Sequence, residues 1–147
     1  MTRLRRLEPI LRLTEERERA AARAFAAARA RQTEEERRLQ LLRDYQTEYR
    51  ERFRQSGAGG VTPRQLAEHR AFLDRLDLGL RQQQELLAKA CAQCAAAQES
   101  WWAAIRQRDR LAVMRARLHR EAQQISERRE QRESDERAGR MVCRTAD

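Results

Sequence analysis

From Leu4 to Phe53 the sequence keeps an unbroken alternation of three- and four-residue steps, and no other feature constrains its fold as strongly. The stripe reads Leu4, Leu7, Leu11, Thr14, Glu18, Ala21, Phe25, Ala28, Gln32, Glu35, Leu39, Leu42, Gln46, Tyr49, Phe53. A seven-residue repeat sustained over this length demands a partner helix wound in a left-handed supercoil. A second run supplies it: Leu66, His69, Leu73, Leu76, Leu80, Gln83, Leu87, Ala90, Cys94, Ala97, Trp101, Ala104, Arg108, Leu111, Arg115, Leu118, Ala122, Ile125. Between the runs lies Ser56-Gly57-Ala58-Gly59-Gly60-Val61-Thr62-Pro63, whose glycines and proline stop one helix and start another. Thr62 suits the N-cap, Pro63 the first helical position, and Gln65 closes a capping box back to Thr62.

Folding the chain at Gly59 brings the two stripes into register. Leu42 then faces Leu76, Leu39 faces Leu80, Phe25 faces Cys94 and Leu7 faces Leu111. The expected fold is all-α: a long two-helix antiparallel coiled-coil hairpin with a C-terminal helical overhang, forming a single coiled-coil domain over 1–147. Its first helix covers about 3–55, the loop 56–62 and the second helix about 63–138, with a disordered tail over 139–147. The first helix ends opposite Arg115, and beyond it the second continues alone into an almost wholly charged tail that Gly139 ends. Pro9 means either that regular helix begins near Glu8 or that the first turn is kinked. Exposed faces carry Glu-to-Arg pairs four apart, at Glu8 and Arg12, Glu15 and Arg19, Glu34 and Arg38, and Glu48 and Arg52.

The composition agrees with a coiled coil: 37% of residues are charged and only 5% aromatic, too little for a compact globular core. The net charge of +9 favours anionic partners, whether nucleic acid, acidic protein or anionic lipid. Only Lys89 among the 32 basic residues is lysine, a bias that a GC-rich genome explains as readily as selection for bidentate binding. The basic start lacks the apolar core of a signal peptide, and no stretch approaches the roughly 20 apolar residues of a membrane span. A soluble, intracellular protein is expected, and three cysteines, an odd number, suit a reducing compartment.

Two features off the seam invite a functional reading. Tyr45 and Phe72 lie at the same height on the two helices and, with Leu41, Leu42, Tyr49 and Leu76, make an aromatic and aliphatic patch near the loop. The plain alternative for Leu42, Tyr49 and Leu76 is core. Of the adjacent Trp101 and Trp102, one packs in the seam against Glu18 and the other faces outward. Cys91 and Cys94 form a C-x-x-C within a helix without further ligands, which reads as small apolar filling. His69, beside Tyr49, reads as a packed polar residue. No phosphate loop, nucleophile with base, or metal-spaced carboxylates occur, so neither enzyme activity, nor a cofactor, nor a metal is expected.

The stretch Leu41-Leu42-Arg43-Asp44-Tyr45-Gln46-Thr47-Glu48-Tyr49-Arg50, followed by Phe72 and Leu76 after a Gly-rich turn and then a Trp-containing helix, resembles the FliJ family of bacterial flagellar export proteins. That resemblance implies a non-enzymatic cytoplasmic component of the flagellar type III export apparatus, at the inner membrane of the flagellar base. Its members are similar to the two-helix stalk of the F1 ATPase γ subunit. They insert into the ring of the hexameric export ATPase, promote its assembly and activity, engage the cytoplasmic domain of the membrane export gate, and help recycle export chaperones. The resemblance assigns gate binding to Leu42, Tyr45, Tyr49, Phe72 and Leu76. Gly79 and Gln83 share that side but depart from the family pattern. The basic, weakly seamed end suggests a ring contact through Arg3, Arg5, Arg6, Arg12, Arg108 and Arg115, against the alternative of a solvated face. Competing readings are the equivalent stalk of a virulence secretion system, a basic coiled coil holding nucleic acid nonspecifically, and a homo-oligomeric coiled coil. The expected protein is a monomer on its own, with no nucleic acid as partner.

Overall fold

A computed structural model describes residues 2–146; Met1 and Asp147 lie outside it, and with Asp147 the last residue of the expected disordered tail. Helix α1 covers Thr2–Ser56, a short 3-10 turn covers Gly57–Gly59, and helix α2 covers Pro63–Thr145. The two long helices pack against each other as an all-α helical hairpin, and no strand occurs among the described residues. The turn works as its sequence requires. Gly60 takes φ 102°, a left-handed conformation strained for any residue with a Cβ, and its N–H donates to the Gly57 carbonyl. Thr62 Oγ1 accepts the Gln65 N–H at 3.2 Å while Gln65 Oε1 accepts the Thr62 N–H at 3.1 Å. That reciprocal capping box satisfies two amides at the start of α2 that would otherwise have no partner.

Packing follows the seven-residue stripe. Every seam position of α1 from Leu4 to Phe53 is buried or half-buried. In α2 the same holds except at Leu66, Arg115 and Ile125, which are exposed. Leu66 and Ile125 lie where the paired length runs out, next to the turn and beyond the start of α1. The most buried apolar side chains are Leu7, Leu11, Ala28, Leu39, Ala90 and Cys94, so the core is a narrow strip between two helices.

The described residues pack as two compact units, one of 2–19 with 102–146, the other of Ala20–Trp101. In the second unit, seam partners lie at equal distance from Gly59: Tyr49 stacks on His69, and Gln83 donates its side-chain N–H to the Glu35 carbonyl at 3.2 Å and to the Glu35 carboxylate. Longer side chains reach further. Phe25 lines a cleft with Cys94, as expected, and also stacks on Trp101 at 5.6 Å. Gln46 donates to Asp77 at 2.7 Å. In the first unit Arg108 meets Glu18 and Arg115 meets Glu8, each at 3.6 Å. Each helical side chain leans toward its own N-terminus. In an antiparallel pair both tips therefore move toward lower numbers, and tip-to-tip contacts join residues of higher number than the backbone register implies.

One boundary differs from the sequence reading, the end of α2. Helix α1 begins at Thr2 and runs through Pro9, although Pro9 has no N–H to give the Arg5 carbonyl. Helix α2 passes Gly139 and continues to Thr145, where a stop near 138 and a disordered tail were expected. A single interior glycine costs only about 1 kcal/mol relative to alanine, and good helix formers flank it. Thr145 Oγ1 donates to the Met141 and Val142 carbonyls, and Arg144 in the last turn complements the helix dipole. Every described side chain from Gln123 onward is exposed.

On α1, Arg37 grips Glu34 through two hydrogen bonds of 2.8 and 3.0 Å, and Arg38 bridges Glu34 and Glu35 at 3.3 and 3.4 Å. The Arg37 hydrogen bonds hold the Glu34 carboxyl at about 2, against an ordinary 4.5, with Arg38 assisting. Because this folded-state value is depressed, the stabilisation is complete above the unfolded value and is lost as pH falls through the folded one. A carbon-detected NMR titration should place the Glu34 midpoint near 2, and Arg37→Ala should return it toward 4.5. Thr62→Ala, which removes the cap, should lower unfolding stability by about 1 kcal/mol in urea titrations followed by helix signal.

Candidate functional site

The residues singled out near the loop come together as a ladder of rings built alternately from both helices. Tyr49 lies at its centre, with its ring 4.3 Å from Phe72 and 5.3 Å from His69. Tyr45 meets Phe72 edge-on at 6.3 Å, and Phe53 stacks on the far face of the ladder against His69 at 3.5 Å. Tyr45 and Phe72 have the edge geometry that aromatic pairs favour, whereas Phe53 and His69 lie face to face. The ladder exists because α1 spaces Tyr45, Tyr49 and Phe53 four residues apart while α2 offers His69 and Phe72 at a three-residue step, so Phe72, Tyr49 and His69 each insert between two rings from the other helix and Tyr45 and Phe53 close the ends.

Exposure divides the five patch residues. Leu42, Tyr49, Phe72 and Leu76 are half-buried, whereas Tyr45 is 45% exposed beside Leu41 at 53%. The accessible part is therefore the outer flank, with Tyr45, Leu41 and the open edge of Phe72, and the seam side chains hold it from beneath. Arg75, one turn beyond Phe72, places its guanidinium carbon 5.8 Å from that ring. The sequence reading missed this cation, although the three-residue step from Phe72 to Arg75 is the spacing that allows such a contact. Gln83 turns inward to Glu35 and is buried, so it is committed to the hairpin itself. Gly79 leaves open space where a side chain would stand.

His69 is held between the rings of Tyr49 and Phe53, and its Nδ1 is buried without a hydrogen-bond partner among the described residues. Its role in the ladder is flat stacking. Trp101 is half-buried against Phe25, and Trp102 is 45% exposed, as one inward and one outward ring require.

The six arginines considered for a second contact fall into two groups. Arg3, Arg5, Arg6 and Arg12 are exposed on α1. Arg108 and Arg115 instead cross the seam to Glu18 and Glu8, and Arg108 also bonds the neighbouring Asp109 at 3.2 Å. A bridging arginine is restrained in reach, whereas an exposed one on a single helix is free to follow a moving surface.

The rings also separate structural from displayed side chains. Tyr49→Ala removes contacts to both His69 and Phe72 and should cost about 3 kcal/mol in urea unfolding, whereas Tyr45→Ala should cost less than about 1 kcal/mol.

A family model described as the flagellar FliJ protein matches residues 3–146. No curated protein and no solved structure matches the chain. The family match spans essentially the whole hairpin, including the ring ladder and the exposed arginines. The chain therefore belongs to the flagellar FliJ protein family and is a component of the flagellar export apparatus.

Proposed function

We propose that the protein is a non-enzymatic stalk and linker of that apparatus. Near the chain termini it contacts the ring of the hexameric export ATPase, inserts into it and promotes its assembly and activity. Near the loop it engages the cytoplasmic domain of the membrane export gate through Leu42, Tyr45, Tyr49, Phe72 and Leu76. It also helps return empty export chaperones, and it works on the cytoplasmic side of the inner membrane. Among the described residues no helix is long and apolar enough to cross a membrane.

The observation that carries this reading is the division of labour within the ladder. Tyr45 and the edge of Phe72 are displayed, while Tyr49, Leu42 and Leu76 fix their position. Aromatic anchors held rigid before binding lose little entropy on docking and dominate interface energies. For the ring, Arg3, Arg5, Arg6 and Arg12 supply exposed positive charge that forms shifting, salt-sensitive contacts with successive subunits. Arg108 and Arg115 add charge at the same unit while joining the helices.

The test is capture of the export ATPase and the gate domain from a flagellated lysate, at moderate salt with nuclease present. Tyr45→Ala with Phe72→Ala should keep the ATPase and lose the gate by roughly tenfold or more. Retention of the gate by this variant would contradict the assignment. Loss of both components from the wild type, with only nuclease-sensitive partners before treatment, would instead support a nonspecific nucleic-acid binder.

A further inference from the structure

The first compact unit carries a second apolar surface that the seven-residue pattern does not explain. Ile10 and Leu13 on α1 are 50% and 47% exposed, and Val113 and Met114 on α2 are 67% and 50% exposed. None of them belongs to the seam. Val113, midway between the seam residues Leu111 and Arg115, points away from the partner helix, whereas Ile10 and Met114 stand on one flank, as their neighbours show. Arg3 and Glu121 line a common cleft with Leu4, Leu118, Ala122 and Ile125, so these two residues stand on the same side of the seam. Ile10 follows Arg3 by one seven-residue repeat, and Met114 precedes Glu121 by one, which puts both on that same side. The opposite flank holds Glu15, Ala112 and His119 around a different cleft.

Charge around the surface is of one sign. Arg6 lies one turn before Ile10 and Arg17 one turn after Leu13; Arg110 and Arg117 frame Met114 in the same way, and all four are exposed. The carboxylate on this flank, Glu121, is already bonded to Arg117 at 3.3 Å. We propose that this flank is a docking groove for an acidic amphipathic α-helix of a partner protein. Ile10, Leu13 and Met114 take its apolar face, and the arginines pair with carboxylates along its edges. The shape is that of the groove between two helices, which accepts a third helix through anchors spaced three and four residues apart. Charge complementarity selects the occupant: a second copy of this chain would set arginine against arginine, whereas an acidic helix sets carboxylates against Arg6, Arg17 and Arg110. The surface shares Arg3 and Arg6 with the ring contact proposed above, but its apolar centre is separate from Arg5 and Arg12, and the two assignments therefore fail independently.

The probe is a fluorescein-labelled synthetic peptide that forms a helix with leucine along one face and glutamate elsewhere, read by anisotropy against the full-length protein. A scrambled peptide of the same composition and vesicles of phosphatidylglycerol with phosphatidylcholine serve as comparisons. The amphipathic peptide should bind, and the scrambled one should bind roughly tenfold more weakly or less. Ile10→Glu with Met114→Glu should cost a similar factor while helix content by circular dichroism stays unchanged. Arg5→Ala with Arg12→Ala should leave peptide binding intact, even where it abolishes capture of the export ATPase. Equal binding of the scrambled peptide, or indifference to the glutamate substitutions, would overturn the proposal. So would patch-dependent binding of vesicles without the peptide, or a patch-dependent dimer in sedimentation velocity.

Discussion

An antiparallel pair of helices with a purely apolar seam has several nearly equivalent registers, one seven-residue repeat apart, and what removes that freedom here is the hydrogen bonding of Gln83 to Glu35. Gln83 is buried and the Glu35 side chain is 18% exposed, so both groups need partners where they stand. A slip of one repeat would set Gln83 against Ala28 or Leu42, leaving a buried amide and a carboxylate with apolar neighbours. Orphaning such groups costs about 1–3 kcal/mol each, more for the charge, which is enough to make the alternative registers rare. Arg38 ties Glu35 back to Glu34 and thence to Arg37, so the acceptor in the seam is itself held in place from the surface. Gln46 with Asp77 adds a second lock in the same unit.

Both candidate surfaces depend on that register because each is assembled from two helices. Tyr45 on α1 and Phe72 on α2 make one surface only when Tyr49 is inserted between Phe72 and His69. Displacement by one repeat would keep the helices paired and abolish the ladder. The same logic applies in the other unit, where Glu8 with Arg115 and Glu18 with Arg108 hold the helices while Ile10 and Met114 face outward on one flank. Polar seam residues thus trade some stability for a defined display of side chains.

The seam was legible in the sequence almost position by position, because a seven-residue period and a glycine-rich break are both local signals. Leu66 escaped because periodicity says nothing about where the paired helix ends. The helical continuation past Gly139 escaped because one glycine is a weak stop when its neighbours favour helix. Of the loop patch, the ring positions followed from their distances to Gly59, while the contact of Arg75 with Phe72 and the inward turn of Gln83 required side-chain directions. The flank formed by Ile10, Leu13 and Met114 was invisible for a different reason. Apolar residues off the seam look like noise along each helix, and they become a surface only when the cleft shared by Arg3 and Glu121 fixes which sides of the helices coincide.

The most direct test of register control is a spin-label distance across the seam. Labels at Arg31→Cys and Lys89→Cys, with Cys91, Cys94 and Cys143 replaced by alanine, should give one narrow distance distribution by pulsed electron resonance. Adding Glu35→Leu with Gln83→Leu should broaden that distribution or add a second distance, while the helix content is preserved. A single unchanged distance in the leucine variant would contradict the account, since the register would then be set without the polar pair.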